Sequence, residues 1–154
     1  MLARAARIPL VHVPYRGSAP ALIDTISGKV PAIFESLPTA IGHIRAGRLR
    51  PIAVSSRARA EALPDVPSFA ERGLPEVEAV GWFGVSAPAG LPPGVAGRLA
   101  STVAAAVALP DIRARFAESG VEAGSLWLAD YAAFVRAEAA RWKALAAAHD
   151  IRVE

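Results

Sequence analysis

Apolar residues come in short runs over the first half of the chain and at helical spacing over the second. Leu10 to Val13 is apolar apart from His12, and Pro14 and Gly17 break the run. Ser18 then reads as an N-cap, with Pro20 in the first turn, where a missing N–H costs nothing. Leu22, Ile23 and Ile26 carry a helix to Gly28, a favoured C-terminal residue. The same order recurs eighteen residues on: Val30 to Phe34 as a strand, Ser36-Leu37-Pro38 as a second cap, and Leu37 to Ala46 as a helix ending at Gly47. Two successive strand–cap–helix units predict a parallel sheet with right-handed crossovers. Both helix starts then lie at one end of the sheet, where α/β proteins bind ligands.

Further along, Leu49 to Ser55 reads as a third strand and Asp65 to Phe69 as a turn. Phe69 to Arg72 reads as a short helical stretch closed by Gly73, and Val80 to Ala87 as a strand carrying Trp82 and Phe83. Pro88, Gly90, Pro92, Pro93 and Gly94 make a turn-rich connector. Beyond it the pattern is helical, over Val95 to Ala108, Pro110 to about Ser119-Gly120 and Leu128 to His149, with a short strand at Val121 to Ala123. Tyr131, Phe134, Val135, Trp142 and Leu145 recur at spacings of three and four, an apolar stripe that asks for a packing partner; Glu138 interrupts it. Ala3 to Ala6 reads as the tail of a helix.

At 154 residues the chain can hold a respectable core. It has no cysteine, which excludes disulfides and thiolate metal sites. Charge is uneven: residues 1–60 carry nine Arg or Lys against Asp24 and Glu35, a net +7, while the rest is −4. A basic half attracts anions. Its Arg residues are scattered through apolar segments without aromatic interleaving or a recognition helix, so nucleic acid is not the expected partner. Fifteen of the seventeen basic residues are Arg, which reads as compositional bias. The start has the charge of a signal n-region, but His12, Pro14 and Arg16 interrupt any apolar core of adequate length. On that reading the chain as given stays where it is made, in the cytoplasm.

His12, His43 and His149 lie far apart, without metal-ligand spacing, and His12 reads as a structural, hydrogen-bonded residue. There is no Gly-x-Ser-x-Gly elbow, P-loop or dinucleotide fingerprint, so neither catalysis nor a cofactor is expected. Glu118, Asp130 and Glu138 read as solvated. What remains is anion-binding geometry. It comprises two helix N-termini, main-chain N–H groups over Gly17, Ser18, Ala19 and Ala21, and the hydroxyls of Tyr15, Ser18, Ser36 and Ser55.

The run His12-Val13-Pro14-Tyr15-Arg16-Gly17-Ser18-Ala19-Pro20-Ala21-Leu22 resembles the signature of the tripartite tricarboxylate transporter receptors, the Bug family of solute-binding proteins. Ile44 to Arg50, Ala62 to Ser68 and Gly81 to Gly90 agree in the same order. Pro31 and Glu35-Ser36 depart from it, where the family usually has Asp and Asp-Asn or similar. The resemblance implies a type II periplasmic-binding-protein-like α/β fold with a ligand cleft between two lobes. Residues 1–87 would be the second, inserted lobe with its parallel-rich sheet. Residues 88–154 would be the returning, mostly helical part of the first, so the chain looks truncated to a carboxyl-terminal half. It implies a periplasmic receptor for small mono-, di- or tricarboxylates that delivers them to membrane transporter subunits. Glu35 joins the candidate ligand residues, and Trp82 and Phe83 would wall the cleft. A non-functional remnant and a Rossmann-like enzyme or phosphate-binding module are the alternatives. Without the missing strands, the apolar helix faces are expected to stay exposed and to drive self-association.

Overall fold

A computed structural model of the chain describes residues 1–148. Its described helices are α1 (Leu2–Ala5), α2 (Ser18–Ile26), α3 (Leu37–Arg45), α4 (Pro93–Ala108), α5 (Pro110–Glu118) and α6 (Leu128–Ala148). Their ends follow the local signals. Ser36 is the N-cap of α3, with extended φ/ψ and Pro38 at the second helical position. After α2 the Lys29 N–H reaches back to Asp24 O at 2.9 Å, and after α3 the Arg48 N–H reaches His43 O at 2.9 Å. These six-residue loops, closed through glycine, satisfy carbonyls that a helix end leaves over. His149, read as the last residue of the final helix, lies outside the described residues.

The start of α2 differs from expectation by one residue. Gly17, not Ser18, is the N-cap, at φ 99° and ψ 173°, a region open to glycine and closed to L side chains. Ser18 is thereby the first helical residue, and no side chain caps α2.

Two compact units emerge. The first joins Met1–Gly84 to Ala114–Glu122; the second joins Val85–Arg113 to the described chain from Ala123 onward. The division falls inside α5, and its last turn belongs to the first unit for evident reasons. The Arg45 guanidinium donates to Glu118 O at 2.8 Å, and Gly120 lies against Leu37.

Within the first unit the buried apolar residues are Leu22, Ala40, Ile41, Val66 and Val77, and Phe34 stacks on Phe69 with ring centroids 5.7 Å apart. Ser68 is wholly buried. Its Oγ accepts the Glu71 N–H at 3.2 Å while the Glu71 carboxylate accepts the Ser68 N–H at 2.8 Å, a reciprocal capping box. Arg59 grips the same carboxylate through Nε and Nη2 and also donates to Pro64 O at 2.9 Å. Glu71 is thus a knot that holds residues 59–71 together.

The predicted strands do not form a ladder among the described residues. The one β-bridge is the parallel pair Val54 and Ser68, made by the Val54 N–H to Pro67 O and the Phe69 N–H to Val54 O. The segments 10–13, 30–34, 80–87 and 121–123 lie outside any ladder. A strand needs a neighbour for its main-chain groups and its apolar face. Here Val11 is 91% exposed, and Pro31 has no N–H to donate.

In the second unit α4 packs on α6, yet no residue of α4, α5 or α6 is buried. The α6 stripe is only half covered over Tyr131, Phe134, Val135 and Leu145, and Trp142 is exposed. Glu138, expected to be solvated, takes the Trp142 indole N–H at 3.0 Å and Arg141 at 3.2 Å, and the Arg141 guanidinium lies over the Trp142 ring. That explains an acid within an apolar stripe: it satisfies the polar edge of the indole. Among the described residues no single helix is long and apolar enough to cross a membrane.

Candidate functional site

The site centres on the ends of α2 and α3 that follow the two repeated motifs. Glu35 immediately precedes the α3 N-cap. Its Oε1 accepts the Ser36 N–H at 2.8 Å, the Ser36 hydroxyl at 3.2 Å and the Ser18 hydroxyl at 3.1 Å. Ser36 Oγ also lies 2.7 Å from Thr39 Oγ1. A hydroxyl has one proton, and the carboxylate only accepts, so Thr39 is the donor to Ser36. The positive end of α3 therefore faces a carboxylate of the chain itself, a favourable placement. At α2 the first turn lacks a side-chain cap and Pro20 has no N–H, which leaves the Ser18 and Ala19 N–H groups as the open donors.

A cleft of about 450 Å³ adjoins this cluster, lined by Ser18, Ala19, Leu22, Ile23, Ile26, Thr39 and His43. It is predominantly apolar, and Ser18 and Thr39 bring hydroxyls to its lining. His43 Nδ1 is buried without a hydrogen-bond partner.

The remaining sequence-predicted residues are placed differently. The Tyr15 hydroxyl donates to Asp24 Oδ2 at 3.1 Å, and Lys29 Nζ donates to Asp24 Oδ1 at 2.9 Å. Burial first, then the bond to Asp24, raises the Tyr15 phenol, while Lys29 first and Tyr15 second hold the Asp24 carboxyl below the usual range. Ser55 donates its hydroxyl to Ala79 O at 2.6 Å and accepts the Ala79 N–H on its own carbonyl. Trp82 and Phe83 belong to a stretch, 81–90, in which every residue is exposed. Ala21 is half-buried on α2 and its carbonyl accepts the Thr25 hydroxyl. The structure thus brings Ser18, Glu35 and Ser36 together, keeps Gly17 and Ala19 beside them, and gives Tyr15 and Ser55 other partners. His12 is exposed rather than enclosed. Thr39 and Asp24 are the residues that the sequence reading missed. Ser36-x-x-Thr39 is a helical spacing that signals the first, whereas nothing local announces the second.

Among the described residues no group of His, Asp and Glu is placed to hold a metal ion.

The family model of the tripartite tricarboxylate transporter family receptor matches residues 1–151. The chain belongs to that family. A UPF0065 protein from the tcbD–tcbE intergenic region of Pseudomonas sp. strain P51 is 37% identical over 146 residues, covering 94% of this chain and 44% of that protein. Among solved structures, R. palustris Rpa4515 with adipate superposes at TM-score 0.86 and 35% identity, covering 94% of this chain and 48% of that one. MatC from Rhodopseudomonas palustris with bound malate superposes at TM-score 0.67 and 29% identity, covering 77% and 40%. The chain therefore has the periplasmic-binding-protein fold and spans somewhat under half the length of these relatives. Two further solved structures that it resembles are described as a periplasmic transporter and as the periplasmic binding protein BugD. The family is one of receptors, which sets aside the enzyme alternative.

Proposed function

We propose that this chain is the carboxyl-terminal half of a periplasmic receptor for small carboxylic acids that passes them to a tripartite tricarboxylate-type membrane transporter. The observation that supports this best is the first turn of α2, which no side chain caps, in a chain folded like relatives solved with adipate and with malate. The open N–H groups of Ser18 and Ala19 are the donors for one ligand carboxylate. Gly17 lets the chain turn closely enough to present them. Ser36, Tyr15, Ala21 and Ser55 support that edge, and Trp82 and Phe83, exposed here, supply an apolar wall. In this reading residues 1–87 form the second lobe and 88–154 the returning part of the first. The exposed apolar faces make the chain self-associate when it is alone.

The test is calorimetric titration of a chimaera that joins the amino-terminal part of Rpa4515 to this chain, with mono-, di- and tricarboxylates. One or more of these acids should bind, and Ser18→Glu should abolish the binding, because a tethered carboxylate then competes at the positive helix end. Equal affinity with and without Ser18→Glu would remove this helix start from the site. Binding of none of the acids would overturn the receptor reading.

A further inference from the structure

We propose that the site at the start of α2 takes acids with one carboxylate and an apolar body, and that Glu35 is the residue that turns away a second carboxylate. This deepens the receptor reading above and rests on it. Every group it uses belongs to the first unit.

The first observation is how the protons are committed. The Ser18 hydroxyl donates to Glu35, Ser36 donates both its N–H and its hydroxyl to the same Oε1, and Thr39 donates to Ser36. At α3 Pro38 has no N–H, and the Thr39 N–H bonds Ser36 O. The side chains beside the open Ser18 and Ala19 N–H groups therefore offer a ligand acceptors rather than donors. The second observation is charge. The acids of residues 1–60 are Asp24 and Glu35. Asp24 pairs with Lys29, whereas Glu35 pairs with no cation among the described residues. Its Oε1 lies 3.1 Å from Ser18 Oγ. Covalent geometry then keeps that oxygen within about 7 Å of the Ser18 nitrogen. Salt at physiological strength screens little over such a distance. One ligand carboxylate has the N–H groups and the helix dipole to offset the repulsion; a second one close by meets Glu35 without them.

The third observation is the cleft of about 450 Å³, which is lined by Ser18 and Ala19 and, further along α2, by Leu22, Ile23 and Ile26. A hydrocarbon body there covers apolar surface, above all that of Ile23, which is 66% exposed. No Lys or Arg lines the cleft, and the Nδ1 of its one histidine, His43, is enclosed. A charged far end would lose water there without gaining a cation. Adipate and malate, held by relatives, each have two carboxylates. In this chain the second carboxylate is the disfavoured group.

The experiment titrates the 154-residue chain with two matched pairs of acids, followed at the Ser18 and Ala19 amide resonances by NMR. The pairs are hexanoate against adipate, and succinamate, the monoamide, against succinate. Hexanoate should bind on the order of tenfold tighter than adipate, and succinamate on the order of fivefold tighter than succinate. Glu35→Gln keeps an oxygen for Ser18 and Ser36 and removes the charge. It should close the gap between succinamate and succinate and leave most of the gap between hexanoate and adipate. Ile23→Ser, at an exposed position, should weaken hexanoate about threefold more than succinate. Circular dichroism checks that both variants keep the helix content. Equal affinities within each pair, or a gap between succinamate and succinate that Glu35→Gln does not move, would overturn the proposal and leave a receptor of another selectivity. Failure of all these acids to shift either amide would overturn it as well. The receptor reading itself falls only if the chimaera described above also binds none of the acids.

Discussion

The Ser18 hydroxyl donates to Glu35 at 3.1 Å across seventeen residues of sequence, linking the first residue of α2 to the residue before the α3 N-cap. Neither side chain is deeply buried, so the link contributes modestly to stability; its consequence is positional. It sets two helix starts side by side and places the chain's own negative charge at one of them. Glu35→Ala leaves the Ser36 N–H and two hydroxyls without this acceptor and should cost about 1 kcal/mol. Ser18→Ala should cost about 0.5 kcal/mol, and less when Glu35 is already Ala. Urea unfolding of the four proteins in the cycle measures the coupling; strict additivity would mean that the hydrogen bond contributes nothing.

Gly120 is the position in the first unit least tolerant of a side chain. Its φ is +69°, and a Cβ built there would lie 2.6 Å from Leu37 Cγ. Gly120→Ala therefore combines backbone strain with a clash and should destabilise by about 2–4 kcal/mol. Gly28, at φ +81° with open space around it, is the control: its Ala variant bears only the backbone strain, about 1 kcal/mol. Adding Leu37→Ala to Gly120→Ala should relieve part of the clash. Chemical denaturation that ranks the two glycine variants equally would refute the contact with Leu37.

Glu71 confers a pH dependence whose sign is fixed by its partners. The Arg59 hydrogen bonds first, and the Ser68 backbone N–H second, hold its carboxyl at about 2, against an ordinary 4.5. A value lowered by folding means that the contribution is complete above about 4.5 and is lost as pH falls towards 2. The segment 59–71 should loosen over that window, seen as a shift of the Ser68 amide resonance in NMR titration. Glu71→Gln should flatten this part of the curve at every pH. Because both side chains of the pair are nearly half exposed, added salt should weaken the effect. A Ser68 amide that stays unchanged from pH 5 to about 2 would contradict the knot.

Glu138 should matter to α6 through Trp142 rather than through charge alone. Glu138→Ala removes the acceptor of the indole N–H and the partner of Arg141, and should cost about 0.5–1 kcal/mol. Glu138→Gln keeps an acceptor and should cost less. Helix content followed by circular dichroism through thermal unfolding distinguishes them; equal midpoints for the two variants would show that the hydrogen bond to Trp142 is not what counts.

The helices were legible residue by residue because their punctuation is local. Proline in a first turn, serine before it and glycine after the last turn act within a few residues, so α2 to α5 begin and end, and α6 begins, close to where the pattern puts them. The one-residue shift at Gly17 is itself local, since only glycine suits φ 99°. Ser68-x-x-Glu71 was equally open to reading, as a capping-box spacing that the apolar pattern passes over. The order of the family's motifs was also in the sequence, and it carried the membership. The destinations of the side chains were not. Tyr15 and Ser55 have the hydroxyls that an anion site wants, but Asp24, nine residues from Tyr15, and the Ala79 carbonyl, twenty-four from Ser55, take them. Ser18, read as a cap for its own helix, reaches Glu35 instead. The strands stand at the far end of this scale: alternation and branching announce a strand, but its hydrogen bonds belong to whichever chain lies alongside. Apolar periodicity depends on a residue's own neighbours in sequence, whereas pairing depends on groups brought together only by the fold, and for these segments the fold within the described residues supplies no ladder.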